Sequence, residues 1–283
     1  MKSIFPHSID GDLLRLVHLS NGFRMVPEAT PLRVGDVCKA EARVFSVVNA
    51  PEGKTVKVKG HVYRGDEPVI EVTSAFLYRG RFSDSENTFE TTEEPDYAMT
   101  IQNDVDVGVM ESKNWWTWNR KHVLAQNANL VFRVQSKISH PTRAAYSNIH
   151  VTGDIFIRGK MKNLVKVGAV EYQSDAALGN PVVAYLQRHA TPLGVTVNLP
   201  SEYTLTTTDI DTKFNAPLTN EAYSKISGDF NPIHINPYFS DYASLPATIT
   251  HGLWSSAATR RYVELIAAQG KPERVLSYVT FEY

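Results

Sequence analysis

Three runs of alternating, β-branched residues, 37–48, 55–63 and 68–78, constrain this chain more than any other feature. Side chains on a strand point to opposite faces in turn, so a period of two marks strands that are buried on one side. Asn49, Pro51 and Gly53 punctuate the first gap and Gly65 and Asp66 the second. Connections this short join antiparallel neighbours only, because parallel strands need a crossover of a dozen or more residues. The stretch is therefore predicted to be an antiparallel meander. A second set of runs, 129–138, 148–157 and 164–172, repeats the pattern, and 180–190 reads as a short helix.

Residues 9–19 are half apolar at helical spacing and predict a helix ahead of the meander. Residues 83–96 are acidic and rich in Ser and Thr without apolar periodicity, which predicts a solvated linker. Trp115, Trp116 and Trp118 crowd one short segment and are read as core or interdomain packing rather than a ligand platform.

At 283 residues and 42% hydrophobic, the chain is long enough for a sizeable core or two modest ones. Lys and Arg number 29 against 30 Asp and Glu, so no global field favours nucleic acid or an anionic membrane as partner. Cys38 is the single cysteine, which excludes an intramolecular disulfide and a cysteine-rich zinc site. A reducing compartment follows as the expectation, and the cytoplasm is the default. No run approaches the roughly 20 apolar residues of a membrane-spanning helix. The histidines at 7, 18, 61, 122, 140, 150 and 189 are scattered without metal-ligand spacing, and no glycine-rich phosphate loop is present. Neither a metal nor a cofactor is expected.

The chemistry concentrates between Tyr223 and Trp254. Asp229 and His234 stand five residues apart, with Gly228 before them and Pro232 between them. Gly228 permits a turn that a side chain forbids, and Pro232 fixes one φ angle, so the carboxyl and the imidazole are held at a set spacing. Two groups of opposite protonation on one rigid loop are equipment for general acid–base work. Asn231 lies between them. Its amide can orient either partner or a water, or it can make a local turn with Pro232; the sequence leaves both open. Thr219 is placed to cap a short helix leading to Gly228. Downstream, Leu253, Trp254, Ala257, Ala258, Tyr262, Leu265 and Ile266 recur at three- and four-residue steps, predicting a helix with one wide apolar face that ends near Gly270. Small residues at 256–259 let a sheet approach it closely. A strand is predicted over 274–283.

Tyr223, Ile226, Ser227, Gly228, Asp229, Asn231, Pro232, Ile233, His234 and Ser240 stand where the hydratase-2 pattern has such residue types, and the chain resembles the MaoC-like dehydratases. Residues 9–23, 31–36 and 229–261 further resemble the dehydratase region of fungal fatty acid synthase beta subunits. The resemblance implies an α+β fold of tandem hot-dog units, each an antiparallel sheet wrapped around a central helix. On that reading 1–82 is the second half of a non-catalytic unit, 83–96 the linker, 97–195 a middle unit, and 196–283 the start of the catalytic unit. The first and last units are expected to be incomplete.

The implied activity is dehydration of an (R)-3-hydroxyacyl chain carried on the phosphopantetheine of an acyl carrier protein, within an assembly of synthase alpha and beta subunits. Asp229 and His234 form the implied dyad. His234 is favoured as base at the α-carbon and Asp229 as proton donor to the hydroxyl. A backbone donor at Gly252, at the start of the long helix, would face the thioester oxygen. Tyr223 and His251 are supporting residues, and for His251 a helix-start histidine satisfied by neighbouring backbone is the alternative reading. Two other functions stay open at this point, an (R)-specific enoyl-CoA hydratase and a non-catalytic structural segment of the synthase.

Overall fold

A computed structural model of the chain describes residues 9, 11–83, 87–119, 127–139, 147–159, 163–177, 179–193 and 214–281. The chain divides into two compact units, Met1–Ser83 with Thr206–Tyr283, and Asp84–Leu205.

The first unit begins with β1 (Leu16–Met25), followed by β2 (Cys38–Ala50), β3 (Gly53–Arg64) and β4 (Glu67–Arg79). The pairs β2–β3, β3–β4 and β4–β1 are all antiparallel, so the expected meander is present to within two residues at each strand end. Register explains the alternation. Val47, Val56, Phe76 and His18 stand opposite one another across the four strands, and Val58, Ser74 and Asn21 form the next row. Val47, Val56, Val58 and Phe76 are buried. A shift of register between His18 and Ser20 keeps His18 and Asn21 on the same face although they are three residues apart.

The helix predicted over 9–19 is not formed there: one 3-10 turn, Leu13–Arg15, leads directly into β1. Strand partners on both sides of β1 outweigh its local helical pattern, a case of tertiary pairing deciding what propensity leaves open.

The second unit contains β5 (Phe89–Glu93), β6 (Asp96–Thr100), α1 (Asp104–Glu111), β7 (Trp116–Trp118), β8 (Asn129–Ser139), β9 (Ser147–Arg158), β10 (Leu164–Ala177), α2 (Pro181–His189) and β11 (Thr191–Leu193). Here β8, β9, β10 and β7 pair in that order, while β5 and β6 both pair with β8 and β11 pairs with β6. Leu130, Phe132, Ile155, Val182 and Leu186 close the core with Trp116, and Trp115 and Trp118 pack against it. The tryptophans are core residues, as expected. Asn180 caps α2 by accepting from the Val183 N–H at 3.1 Å, with Pro181 at the first helical position.

The linker expected over 83–96 is not a linker throughout. Residues 89–93 are β5, registered on β8 from Phe89 opposite Ser139 to Glu93 opposite Gln135; residues 84–86 lie outside the described set. Thr91 and Thr92 supply β-branched strand chemistry inside an acidic composition.

The last segment returns to the first unit with α3 (Glu221–Ser227), a 3-10 turn at Pro232–His234, α4 (Pro237–Tyr242), α5 (Gly252–Ile266) and β12 (Ser277–Phe281). Strand β12 pairs antiparallel with β1, from Ser20 opposite Phe281 to Arg24 opposite Ser277. The outer segments, read from sequence as parts of separate units, thus associate in one compact unit. Residues 196–213 of the segment expected to begin the catalytic unit lie outside the described set. The result is α+β: an antiparallel sheet with one long helix against β1 and β12, the hot-dog arrangement.

Helix α5 spans the predicted range, but its contact edge differs from the wide apolar face expected. The fully buried positions are Gly252 and Ser256, whereas Leu253 is 46% and Leu265 56% exposed. Ser256 Oγ accepts from Asn21 Nδ2 at 3.0 Å and lies 2.8 Å from Thr280 Oγ1; Ser74 Oγ in turn donates to Asn21 Oδ1 at 2.7 Å. A small residue allows close approach, and the polar groups it brings with it are paired.

Candidate active site

Gly228 ends α3 in the left-handed region at φ 72°, a conformation that costs an L side chain roughly 1–2 kcal/mol. The chain then turns twice on its own side chains. Asp229 Oδ1 accepts from the Asn231 N–H at 3.1 Å, and Asn231 Oδ1 accepts from the Ile233 N–H at 3.4 Å. Pro232 opens the 3-10 turn that carries His234. Of the two roles open for Asn231, the local turn is the one its amide oxygen makes. Ile233 is buried, and its carbonyl accepts from Ser240 Oγ at 2.8 Å and from the Ile249 N–H at 3.2 Å. The loop is thereby fastened to α4 and to the segment entering α5.

His234 Nδ1 lies 2.8 Å from the Ile249 carbonyl oxygen. A carbonyl only accepts, so this nitrogen carries the proton and, in the neutral ring, Nε2 keeps its lone pair. That is the tautomer a base needs. The same Ile249 carbonyl accepts from Asn220 Nδ2 at 3.0 Å, and the other Asn220 amide proton goes to the His234 carbonyl at 2.9 Å. Asn220, not Thr219, is the N-cap of α3, and it makes no side-chain capping bond because its amide is committed to these two carbonyls.

His251 is 1% exposed and stacks on His234, ring centroids 3.9 Å apart at 26°. Its Nε2 lies 3.1 Å from the Asp229 carbonyl and 3.2 Å from Ser224 Oγ. The carbonyl again fixes the proton, so Nε2–H donates there and holds the Asp229 backbone. Nδ1 of His251 is buried without a hydrogen-bond partner. Tyr223 also adjoins it, its ring centroid 4.9 Å from that of His251. One ring nitrogen of His251 is thus on backbone, that of Asp229 rather than of the helix start itself.

Burial first, then the neighbouring His251, lower the His234 pKa, against opposing pulls from the Ile249 hydrogen bond and the Asp229 carboxylate. His18 approaches the same site from β1. Its ring stacks on Phe76 at 4.5 Å, it feels the charges of Asp229 and His234, and burial drives its pKa down to about 4. Nε2 of His18 is buried with no hydrogen-bond partner.

Asp229, His234 and His251 offer ligand atoms within 4.8 Å of one another. The His251 nitrogen facing Asp229 is an N–H donor to a carbonyl in this arrangement, so it has no lone pair to give an ion. Gly252 is the first residue of α5, where an N–H has no intrahelical acceptor, immediately after His251.

Of the residues singled out from sequence, Asp229, His234, His251 and Tyr223 come together, Gly252 adjoins them at the helix start, and Asn231 shapes the loop. Sequence reading missed Asn220 and His18. The first adjoins Thr219, the residue read as the cap; the second lies in a stretch read as a helix.

Two family models match the chain: "Fatty acid synthase subunit beta, insertion domain" over residues 89–186 and "MaoC like domain" over 189–281. The fatty acid synthase subunit beta of Saccharomyces cerevisiae is 43% identical over 98% of the chain, and that of Schizosaccharomyces pombe 42% identical over 99%. The chain spans 13% and 14% of those two proteins. A solved MaoC-like dehydratase from Phytophthora capsici is 8% identical at a TM-score of 0.23, covering 59% of this chain and 74% of its own, too little likeness to add to the fold argument.

Proposed function

This chain belongs to the family of fungal fatty acid synthase beta subunits, in the stretch that carries the MaoC-like domain, and we propose that it dehydrates (3R)-3-hydroxyacyl thioesters to trans-2-enoyl thioesters. The observation that carries this reading is the tautomer of His234. With Nδ1–H given to the Ile249 carbonyl, Nε2 is a lone-pair donor beside a carboxyl group, as proton abstraction next to a thioester requires.

In the proposed reaction His234 Nε2 removes the α-proton, and the electrons of that C–H bond build enolate character on the thioester oxygen. The Gly252 N–H, backed by the α5 dipole, is the proposed donor to that oxygen. Electrons return to form Cα=Cβ as the Cβ–O bond breaks, and Asp229, which enters the cycle as the carboxylic acid, supplies the proton with which the hydroxyl leaves as water. His234 ends protonated and Asp229 ionised, and the departing water can carry the proton from one to the other. His251 and Tyr223 hold the pair in place.

The acyl chain is proposed to arrive on the phosphopantetheine of an acyl carrier protein, with other synthase alpha and beta subunits as assembly partners. A cytoplasmic setting fits the single Cys38, which is exposed and unpaired by a disulfide. Among the described residues no helix is long and apolar enough to cross a membrane.

Turnover of crotonyl thioester, followed through loss of enoyl absorbance, tests the proposal in the hydration direction. Hydration by the chain and its loss in Asp229→Asn and in His234→Ala is the expected result. Full activity in either variant removes the dyad.

A further inference from the structure

The geometry points to Asn220 as a positioning residue: through the Ile249 carbonyl it fixes the tautomer and orientation of His234. This rests on the proposed role of His234 as base. Asn220 is 8% exposed, and its Nδ2 lies 2.9 Å from the His234 carbonyl and 3.0 Å from the Ile249 carbonyl. Both neighbours are acceptors only, so the atom between them is the amide nitrogen, and its two protons match two carbonyls. Asn220 Oδ1 is buried without a partner. A cap or a solubilising residue has no reason to leave its oxygen unpaired; a residue whose task is donation does.

The Ile249 carbonyl is the shared element. It accepts from Asn220 and from His234 Nδ1, filling both lone pairs, while the Ile249 N–H donates to the Ile233 carbonyl at 3.2 Å. Two donors therefore set its direction, and the residue itself is tied to Ile233. Asn220 bonds both the acceptor that reads the His234 ring and the backbone from which that ring hangs, so the distance between them has little freedom. Removing the amide leaves the Ile249 carbonyl free to swing toward other donors, and the ring then loses its preference for Nδ1–H. Ring nitrogens oriented by the hydrogen bond on the opposite side are a general device of histidine chemistry.

Imidazole 15N chemical shifts test this. In the unaltered chain His234 is expected as the neutral Nδ1–H tautomer; observation of Nε2–H there overturns the inference before any substitution is made. In Asn220→Ala, confirmed folded by its circular dichroism and unfolding midpoint, the Nε2–H form is expected to become substantially populated. Crotonyl thioester hydration is expected to fall about 10-fold or more in kcat with KM little changed. In Asn220→Gln, whose amide restores donors, Nδ1–H should recover in part. A folded Asn220→Ala that retains pure Nδ1–H overturns the positioning role. If the variant does not fold, the unaltered chain decides through the Asn220 side-chain amide protons. Slow exchange with solvent supports the two carbonyl bonds, and exchange at the rate of a free amide overturns them. Tautomer and turnover are read separately, so a chain with the expected tautomer shift but no hydration keeps this inference and loses the dehydratase reading.

Discussion

His234 and His251 stack face to face, centroids 3.9 Å apart, while each gives its one proton to a different backbone carbonyl, that of Ile249 and that of Asp229. Each ring is thus oriented by a backbone acceptor of its own. In the neutral form His234 keeps its Nε2 lone pair near Asp229, and His251 ties down the Asp229 backbone.

The His234 ring should titrate below 6.5, the ordinary value for histidine, because burial and the adjacent His251 both disfavour the imidazolium. His251→Ala opens the site to water and removes that neighbour, and both changes push the His234 pKa upward. NMR titration of the His234 ring in the two proteins checks the direction. A lower pKa in the variant contradicts it.

His18 makes a larger pH effect on stability. With a folded pKa of about 4 against 6.5 unfolded, the unfolded chain binds a proton between those values and the folded chain does not. Unfolding free energy therefore falls as pH drops from 6.5 toward 4, by about 3 kcal/mol at most from this group, and the contribution is constant above 6.5. In His18→Leu this part of the slope should disappear, as measured by urea midpoints across the pH range. An unchanged slope would show that other groups set it.

Ser256→Ala removes the hydroxyl shared by Asn21 and Thr280 at a position only 1% exposed. The Asn21 amide then lacks its acceptor in a buried setting, and a loss of roughly 1–3 kcal/mol in unfolding free energy is expected. Ser256→Leu should cost more, because the helix must also move off β1. Denaturant unfolding of both variants gives the comparison, and equal stability of Ser256→Ala and the parent would contradict the network.

Gly228→Ala places a Cβ at φ 72° and should cost roughly 1 kcal/mol, whereas Gly228→Asn should cost less because Asn tolerates that region. No atom lies within 4 Å of the added Cβ, so the effect is conformational rather than steric crowding. The ordering Gly, Asn, Ala in thermal midpoint is the expected outcome.

Much of this arrangement was legible in the chain. Alternation at 37–48, 55–63 and 68–78 carried the meander, since Val47, Val56 and Phe76 share a face only at period two. The spacing of Gly228, Asp229, Pro232 and His234 marks a stiff loop from sequence alone. The misread parts share a physical cause, dependence on partners remote in sequence. Residues 9–19 have helical spacing by themselves, yet 16–25 become β1 because β4 and β12 flank them, the latter more than 250 residues away. Ser256 and Asn21 form one polar pair across 235 residues, and neither position alone signals it. The cap of the short helix reads from sequence as Thr219, one residue early, and the two carbonyl acceptors of Asn220, at 234 and 249, belong to turns whose course sequence does not fix.

The most direct test of the account is the rate of crotonyl thioester hydration by the chain beside Asp229→Asn and His234→Ala, each verified as folded. The account expects measurable hydration in the parent and a loss of roughly 10²- to 10⁴-fold in each variant, the range for removing a positioned acid or base. A parent that hydrates the thioester and variants that do so at the same rate would contradict the dyad and the dehydratase function built on it.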